Sequence, residues 1–203
     1  MAITATQVKT LREQTGVGFM ECKTALTEAG GDLDQAITIL RTRGLAQAAK
    51  RSGRATGQGL VSSYIHTGGN VGVLVEVNCE SDFVARTDDF QTLVKEIAMH
   101  IAAANPRYVR REHVAAEDVA RERDIYRAQL EGSTKPAQVI DKIIDGKLTS
   151  YYEQVVLLDQ PSIRDPKTTI GELIAAAIAK LGENIAVSRF ARFKIGEGPM
   201  NAL

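Results

Sequence analysis

Valine occupies every second position from Val71 to Val77, and this alternation constrains the fold more than any other feature of the chain. Alternate residues of a β-strand point to the same side of a sheet, so the side that carries the valines must pack against a core. Another β-rich run, Leu60 to His66, precedes this strand, and the intervening Thr67 to Asn70 include two glycines typical of a hairpin turn. An isolated hairpin is only marginally stable, so further strands or helices must complete the domain.

The segments that complete this domain are predicted farther along the chain. Apolar residues at alternating positions from Ile185 to Ile195 predict a third strand. Helical periodicity predicts a strongly apolar helix that begins at Thr87 or Asp88, a largely exposed helix over residues 117–130, a helix that ends at Gly146, and a last helix that ends at Gly182. These segments predict an α+β core domain over residues 55–203, with a three-stranded antiparallel sheet packed against helices.

The first 44 residues predict three short helices. Their ends are indicated by Thr4 and Gln7 as a capping box, Gly16 as a stop, Gly30 and Gly31 as a second stop, Asp32 as a cap, and Gly44 as the last stop. Helices this short do not persist alone in water, so we expect a compact three-helix bundle. The polar segment from Lys50 to Gly57 predicts a linker, and the first domain is predicted to span residues 1–54.

The charge of the chain is balanced overall but unevenly distributed. Lys and Arg number 25, as do Asp and Glu, which argues against a direct nucleic-acid partner because binding phosphates needs an excess of cations. No acidic residue occurs from Gln35 to Val75, a segment that contains Arg41, Arg43, Lys50, Arg51 and Arg54. These cations lie either on a solvated face, the commoner arrangement, or in an electropositive patch for an acidic partner surface.

Residues suited to enzymatic chemistry are scarce. The three histidines share no metal-ligand spacing, and the two cysteines, Cys22 and Cys79, lie far apart. No glycine-rich phosphate loop occurs, so we expect no bound nucleotide, cofactor or metal. We interpret His100 as a surface or packing residue and Cys79 as a buried one. The sequence therefore favours a protein that is not an enzyme.

The chain contains no segment that predicts membrane insertion or export. Its longest apolar run, Leu173 to Ala179, is far shorter than the roughly 20 residues that span a bilayer. The first residues lack the basic region and apolar stretch of a signal peptide, and two widely separated cysteines fit a reducing compartment. We expect a cytoplasmic protein without membrane contact.

The segment from Asn78 to Arg86 joins the second strand to the next helix, so Asp82 and Phe83 are expected in a surface turn. Two interpretations are open. Either Phe83 folds back onto the core while Asp82 caps a neighbouring group, or Phe83 projects as a wedge towards a partner. A phenylalanine ring buried against a partner contributes roughly 1.5–3 kcal/mol, and the adjacent carboxylate would disturb a cation site.

Three separated segments resemble the signatures of the bacterial translation elongation factor Ts family. They are Leu11 to Leu26, with Thr15-Gly16, Gly18, Met20 and Cys22-Lys23; Val75 to Ala85, with Ser81 where threonine is usual; and Gly182 to Phe193, with Gly182-Glu183-Asn184-Ile185 and Arg189-Phe190. The three segments occur in the family's order and extend over nearly the whole chain.

The resemblance implies a guanine-nucleotide exchange factor that binds elongation factor Tu. The family's N-terminal module, a bundle of the ubiquitin-associated type, docks on the nucleotide-binding domain of that partner. The matching positions here are Arg12, Phe19 and Met20, with Phe19 where methionine is usual. The family's intruding loop, which dislodges the partner's Mg²⁺ so that GDP leaves and GTP rebinds, corresponds to Ser81, Asp82, Phe83 and Val84.

Longer members of the family carry a second core subdomain and a protruding helical hairpin, and 203 residues leave no room for both. The resemblance therefore implies a homodimer, with the strand from Ile185 to Ile195 as a candidate pairing edge between copies or with the partner. Two other functions stay open. One is a protein-binding adaptor of the ubiquitin-associated type without exchange activity, and the other is a thiol enzyme that uses Cys79 with His66.

Overall fold

A computed structural model of the chain describes residues 3–197. In chain order its elements are α1 (Ala5–Thr15), α2 (Phe19–Glu28), α3 (Leu33–Arg51), β1 (Gln58–Ile65), β2 (Val71–Cys79), α4 (Asp82–Ala85), α5 (Asp88–Ala104), α6 (Ala116–Ala128), α7 (Ala137–Val155), α8 (Ile170–Leu181) and β3 (Ile185–Lys194). Short 3-10 turns occur at Arg111–His113 and Leu157–Asp159. The described strands form one sheet in the order β1-β2-β3, which confirms the predicted α+β class and the predicted third strand.

Backbone hydrogen bonds fix the register of this antiparallel sheet. His66 N donates to Val71 O at 2.9 Å, and Ile195 N donates to Asn70 O at 3.0 Å. Three of the four alternating valines, Val73, Val75 and Val77, are buried, whereas Leu74 between them is exposed. The sequence prediction that one side of β2 packs inward is therefore confirmed.

The described residues form two compact units. The first comprises the described residues through Ser62 together with Glu76–Lys95 and Glu172–Ser188, and the second comprises Ser63–Val75, Glu96–Gly171 and the described residues from Arg189. The division at residues 54 and 55, between an N-terminal module and a core domain, stays a prediction.

In the first unit, α1, α2 and α3 enclose a small apolar core. Its buried residues are Val8, Leu11, Cys22, Ala25, Leu26, Ala29, Ala36 and Leu40. The predicted caps are present: Thr4 and Gln7 form the capping box of α1, and the side chain of Asp32 accepts a hydrogen bond from Gln35 N at the start of α3. Gly16 ends α1 in the left-handed conformation, with φ at 67°. The predicted three-helix bundle is confirmed.

Two glycines that were expected to end helices lie inside them. Helix α3 continues past Gly44 to Arg51, so the start of the predicted linker, Lys50 and Arg51, is helical. A Cβ atom at Gly44 would lie 3.6 Å from the Cβ of Ala179 on α8, so the absence of a side chain lets these two helices approach closely. Helix α7 likewise continues through Gly146 to Val155. A glycine inside a helix costs only about 1 kcal/mol relative to alanine, which packing elsewhere in the helix offsets.

In the second unit, Tyr151 and Val155 of α7 form a buried cluster with Val114 and Val156, and Val119 of α6 packs against it. No described residue of α6 is buried, which confirms the prediction of an exposed helix. Two ion pairs, Arg123 with Asp145 at 3.2 Å and Arg127 with Asp141 at 4.0 Å, join α6 to α7. The later arginine of α6 pairs with the earlier aspartate of α7, so the two helices form an antiparallel hairpin.

Candidate functional site

The segment after β2, where a surface turn is predicted, forms a single helical turn, α4. Ser81 precedes α4 with extended backbone angles, and its side chain accepts a hydrogen bond from Val84 N at 3.3 Å. A serine in this position satisfies one of the amide groups that the first helical turn leaves without a partner, which explains why a helix begins here. Ala85 is buried and attaches the turn to the first unit.

Phe83 projects from this turn with 79% of its surface exposed. The interpretation in which Phe83 folds back onto the core is therefore wrong. Asp82 and Val84, its neighbours, are each partly exposed, and Asp82 is paired with Arg86 at 2.8 Å. Both members of that pair face solvent, where such ion pairs contribute at most about 1 kcal/mol, so a partner surface can separate them at little cost.

Several hydrogen bonds hold the start of α4. Ser81 donates from its backbone N at 3.0 Å and from its Oγ to the carboxylate of Glu183. Cys79 Sγ donates to Ser81 O at 3.1 Å. The adjacent Glu80 accepts a hydrogen bond from Asn184 N at 2.6 Å. Glu183 and Asn184 lie outside the site predicted from the sequence, although both belong to the third segment that resembles the family's signatures.

The three candidate residues of the N-terminal bundle all lie on its surface. Arg12 is exposed on α1, and Phe19 and Met20 are exposed at the start of α2. Their neighbours Leu11 and Cys22 are buried, so the bundle has its core without the two exposed apolar side chains. Exposed apolar groups that a core does not need are available to contact another protein.

The cations of the acid-free segment mostly have structural partners. Arg41 pairs with Glu172, Arg43 with Glu28, and Arg54 with Glu80, while Arg51 donates to the carbonyl of Ile178. These contacts tie α3 and the following residues to other parts of the first unit. The excess of positive charge in the sequence is therefore offset within the fold by acids from outside the segment.

The environment of Cys79 does not suit a nucleophile. Its side chain is buried, and burial together with the nearby Glu183 carboxylate raises the pKa of the Cys79 thiol. The thiolate, which is the reactive form, is therefore suppressed at neutral pH. His66, the other residue of the proposed thiol enzyme, is exposed and bonds to the hydroxyl of Tyr64 at 3.0 Å.

His100 is fully buried on α5 in the second unit, as a packing residue. The side-chain nitrogen of Gln160 donates to the carbonyl of Gln154 at 2.8 Å, so the side-chain oxygen of Gln160 faces His100 Nε2 at 2.9 Å. This oxygen can only accept, so Nε2 carries the proton in neutral His100. Nδ1 has no hydrogen-bond partner among the described residues. Burial lowers the pKa of His100 below its ordinary value of 6.5.

The free energy of unfolding is expected to decrease as pH falls below 6.5, because His100 binds a proton more readily in the unfolded chain than in the folded one. His100 contributes at most about 1.4 kcal/mol per pH unit to the slope of the free energy of unfolding against pH, which is the limit for one linked proton. Urea unfolding between pH 5 and pH 7.5 measures the slope. His100→Gln should make the curve flatter, whereas the exposed His113→Gln serves as the matched control. Equal slopes in wild type and His100→Gln would contradict this account.

Among residues 3–197, no group of three or more His, Cys, Asp or Glu side chains is placed to hold a metal ion. Within the same part of the chain, no helix is both long enough and apolar enough to cross a membrane.

Comparison with known proteins identifies the family. The family model described as elongation factor TS matches residues 5–197. The elongation factor Ts of Koribacter versatilis (strain Ellin345) is 57% identical over 197 residues, which cover 97% of this chain and 90% of that protein. The elongation factor Ts of Fervidobacterium nodosum (strain ATCC 35602 / DSM 5306 / Rt17-B1) is 58% identical over 197 residues, with 97% and 100% covered. That of Solibacter usitatus (strain Ellin6076) is 55% identical over 195 residues, with 96% and 92% covered.

These matches extend through the bundle, α4 and β3, and they do not favour an adaptor that lacks exchange activity. The resemblance drawn from the three separated sequence segments is confirmed over almost the full length. The chain belongs to the elongation factor Ts family, the nucleotide exchange factors of translation elongation.

Proposed function

We propose that this chain binds elongation factor Tu in its GDP-bound form and speeds GDP release by inserting Phe83 next to the magnesium site of that partner. The observation that carries the proposal is the exposure of Phe83 on a helical turn whose base is buried and hydrogen-bonded. A large ring held in water by a fixed support gains free energy when a partner covers it, roughly 1.5–3 kcal/mol.

The electrostatics of nucleotide binding explain why such a wedge would release GDP. In P-loop proteins Mg²⁺ and backbone N–H groups offset the charge of the phosphates. A ring that displaces a helix or loop beside the ion also displaces the groups that hold it. Asp82, once separated from Arg86, can accept hydrogen bonds from the displaced groups. The phosphate charge is then poorly compensated, and GDP leaves faster.

The same coupling removes the factor when GTP binds. If the factor weakens nucleotide binding, the nucleotide weakens binding of the factor by the same ratio, since the two affinities are thermodynamically linked. A coupling of about 4 kcal/mol corresponds to roughly a thousandfold change in affinity. No covalent bond forms or breaks in this cycle, and we therefore propose that the protein is not an enzyme in the chemical sense.

We assign recognition of the partner's nucleotide-binding domain to the N-terminal module, residues 1–54. Phe19 and Met20 supply exposed apolar surface at the start of α2, and Arg12 on α1 supplies a cation. An apolar centre with a charged rim is the usual composition of a protein interface. On this proposal the module provides affinity, while α4 provides the displacement.

We also propose that the protein is a homodimer, formed through the exposed side of the sheet in the second unit. Ile65 and Phe193 lie on either side of Gly72, as the register of the sheet requires, and Leu74 follows on the same side. These apolar side chains and Ile195 are each at least half exposed. A patch of this kind marks an interaction surface, and a second copy related by twofold symmetry offers the same surface in return.

One pair of measurements tests these proposals. Under native conditions the free protein should have the mass of two chains. A mixture with elongation factor Tu should contain a complex whose mass accounts for both proteins. Release of a fluorescent GDP analogue from elongation factor Tu should accelerate when the protein is added at micromolar concentration. Absence of acceleration would refute the exchange proposal, and a free protein with the mass of one chain would refute the homodimer.

A further inference from the structure

Glu183 and Asn184, two of the three residues that link α8 to β3, lie at the centre of a hydrogen-bond cluster in the first unit. The Glu183 carboxylate accepts from both donors of Ser81, its backbone N and its Oγ. Asn184 N donates to Glu80, and its side-chain nitrogen donates to the carbonyl of Arg54 at 2.9 Å. This short link therefore contacts both the residues before α4 and those after α3.

We propose that Glu183 and Asn184 are positioning residues for nucleotide exchange. They hold α4, which carries Phe83, in a fixed geometry relative to the chain that leaves the N-terminal helices. The inference rests on the proposed function of Phe83 and concerns residues that do not themselves project towards a partner.

The shortness of α4 makes external support necessary. A single turn does not persist alone, since the cost of ordering its backbone exceeds the gain from one or two hydrogen bonds. The Ser81 hydroxyl that caps α4 through Val84 N is itself fixed by Glu183. Hydrogen bonds to a charged acceptor are roughly twice as strong as neutral ones, so Glu183 restrains Ser81 more than water would.

Asn184 extends this restraint to the end of the N-terminal helices. It is buried, and its side-chain nitrogen faces the carbonyl oxygens of Ser52 and Arg54. Glu80, which accepts from Asn184 N, also lies 3.6 Å from the guanidinium of Arg54. The residues after α3 and the residues before α4 are thus attached to the same link.

A wedge must be stiffer than the groups that it displaces. If α4 could bend, the free energy of burying Phe83 would reorient α4 instead of moving the ligands of the ion. Holding a contact group in its bound geometry before binding removes the cost of ordering it later. Loss of the Glu183 contacts should therefore reduce the displacement of the groups that hold the partner's ion more than it reduces the affinity for the partner.

Glu183→Gln tests this directly, because the amide nitrogen cannot accept the second hydrogen bond from Ser81. We expect the GDP release rate at saturating factor to fall roughly tenfold, the lower end for loss of a charged hydrogen bond. The factor concentration for half-maximal release should change less than threefold, since the bundle surface is unaltered. Asp145→Asn, which removes the exposed partner of Arg123 in the second unit, is the matched control and should retain the wild-type rate.

Amide hydrogen exchange of residues 80–86 in the free protein supplies a second, independent measurement. Exchange should accelerate in Glu183→Gln and in Ser81→Ala, and it should stay near wild type in Ser81→Thr, which keeps both donors. The double variant Glu183→Gln with Ser81→Ala should lower the GDP release rate by less than the product of the two single effects. Both changes remove the same contact, so their effects on the rate are not independent.

The outcomes separate this inference from the proposed function. A wild-type release rate in Glu183→Gln, or a reduced rate without faster exchange at residues 80–86, would overturn the positioning role and leave the role of Phe83 intact. If the wild-type protein itself failed to accelerate GDP release, the proposed function would fall. Hydrogen exchange would still decide whether Glu183 holds α4.

Discussion

Phe83→Ala is expected to lower the saturating rate of GDP release from elongation factor Tu by roughly ten- to a hundredfold. Covering a phenylalanine ring is worth about 1.5–3 kcal/mol, and each 1.4 kcal/mol of lost coupling is a tenfold change in rate. Because the ring is 79% exposed in the free protein, its removal leaves no cavity. The melting temperature should therefore stay at the wild-type value. Stopped-flow release of a fluorescent GDP analogue over a range of factor concentrations measures the effect.

The same titration distinguishes displacement from binding. On our proposal the N-terminal module contributes most of the affinity, so the half-saturating concentration should rise much less than the rate falls. Ile163→Ala, which shortens another exposed apolar side chain, is the matched control and should behave like wild type. A wild-type rate in Phe83→Ala would show that α4 does not act as the wedge.

Local sequence patterns predicted the parts of the fold that local forces determine. The caps at Thr4 and Asp32 and the alternation along β2 each identify an element without reference to distant residues. Gly44 and Gly146 were misread for the same reason. A glycine carries a stop signal only when the chain turns there, and whether it turns depends on packing that a local pattern does not contain.

The candidate site was predictable only in part. Its position between β2 and α5 followed from the pattern, but the pattern left two orientations of Phe83 open, and the structure excludes the buried one. Local sequence patterns could not predict the hydrogen bonds that hold α4, because Glu183 is separated from Ser81 by 102 positions. Long-range hydrogen bonds of this kind follow from the folded sheet and leave no periodic trace in the sequence.

Gly59→Ala is expected to destabilise the protein by about 2–4 kcal/mol, from strain at a glycine-type backbone conformation together with overpacking. Gly59 has φ at 146°, and an added Cβ would lie 2.2 Å from Val77 O and 2.7 Å from the Cα of Asn78. Both are backbone atoms of the paired strand β2, so no side-chain rotation can relieve the overlap. Urea unfolding measures the loss.

Gly57→Ala is the matched control, because no described atom lies within 4 Å of the Cβ that it would add. Its effect should stay within about 0.5 kcal/mol, as for an ordinary surface substitution. The region that the Gly59→Ala substitution destabilises can also be predicted. In the described sheet β1 pairs with β2 only, so the start of β1 can separate without disrupting another strand. Relief of the overlap should separate the start of β1 from β2, and amide exchange should increase there before it increases in α5. Equal unfolding midpoints for the two variants would mean that the approach of Gly59 to β2 is not required for the fold.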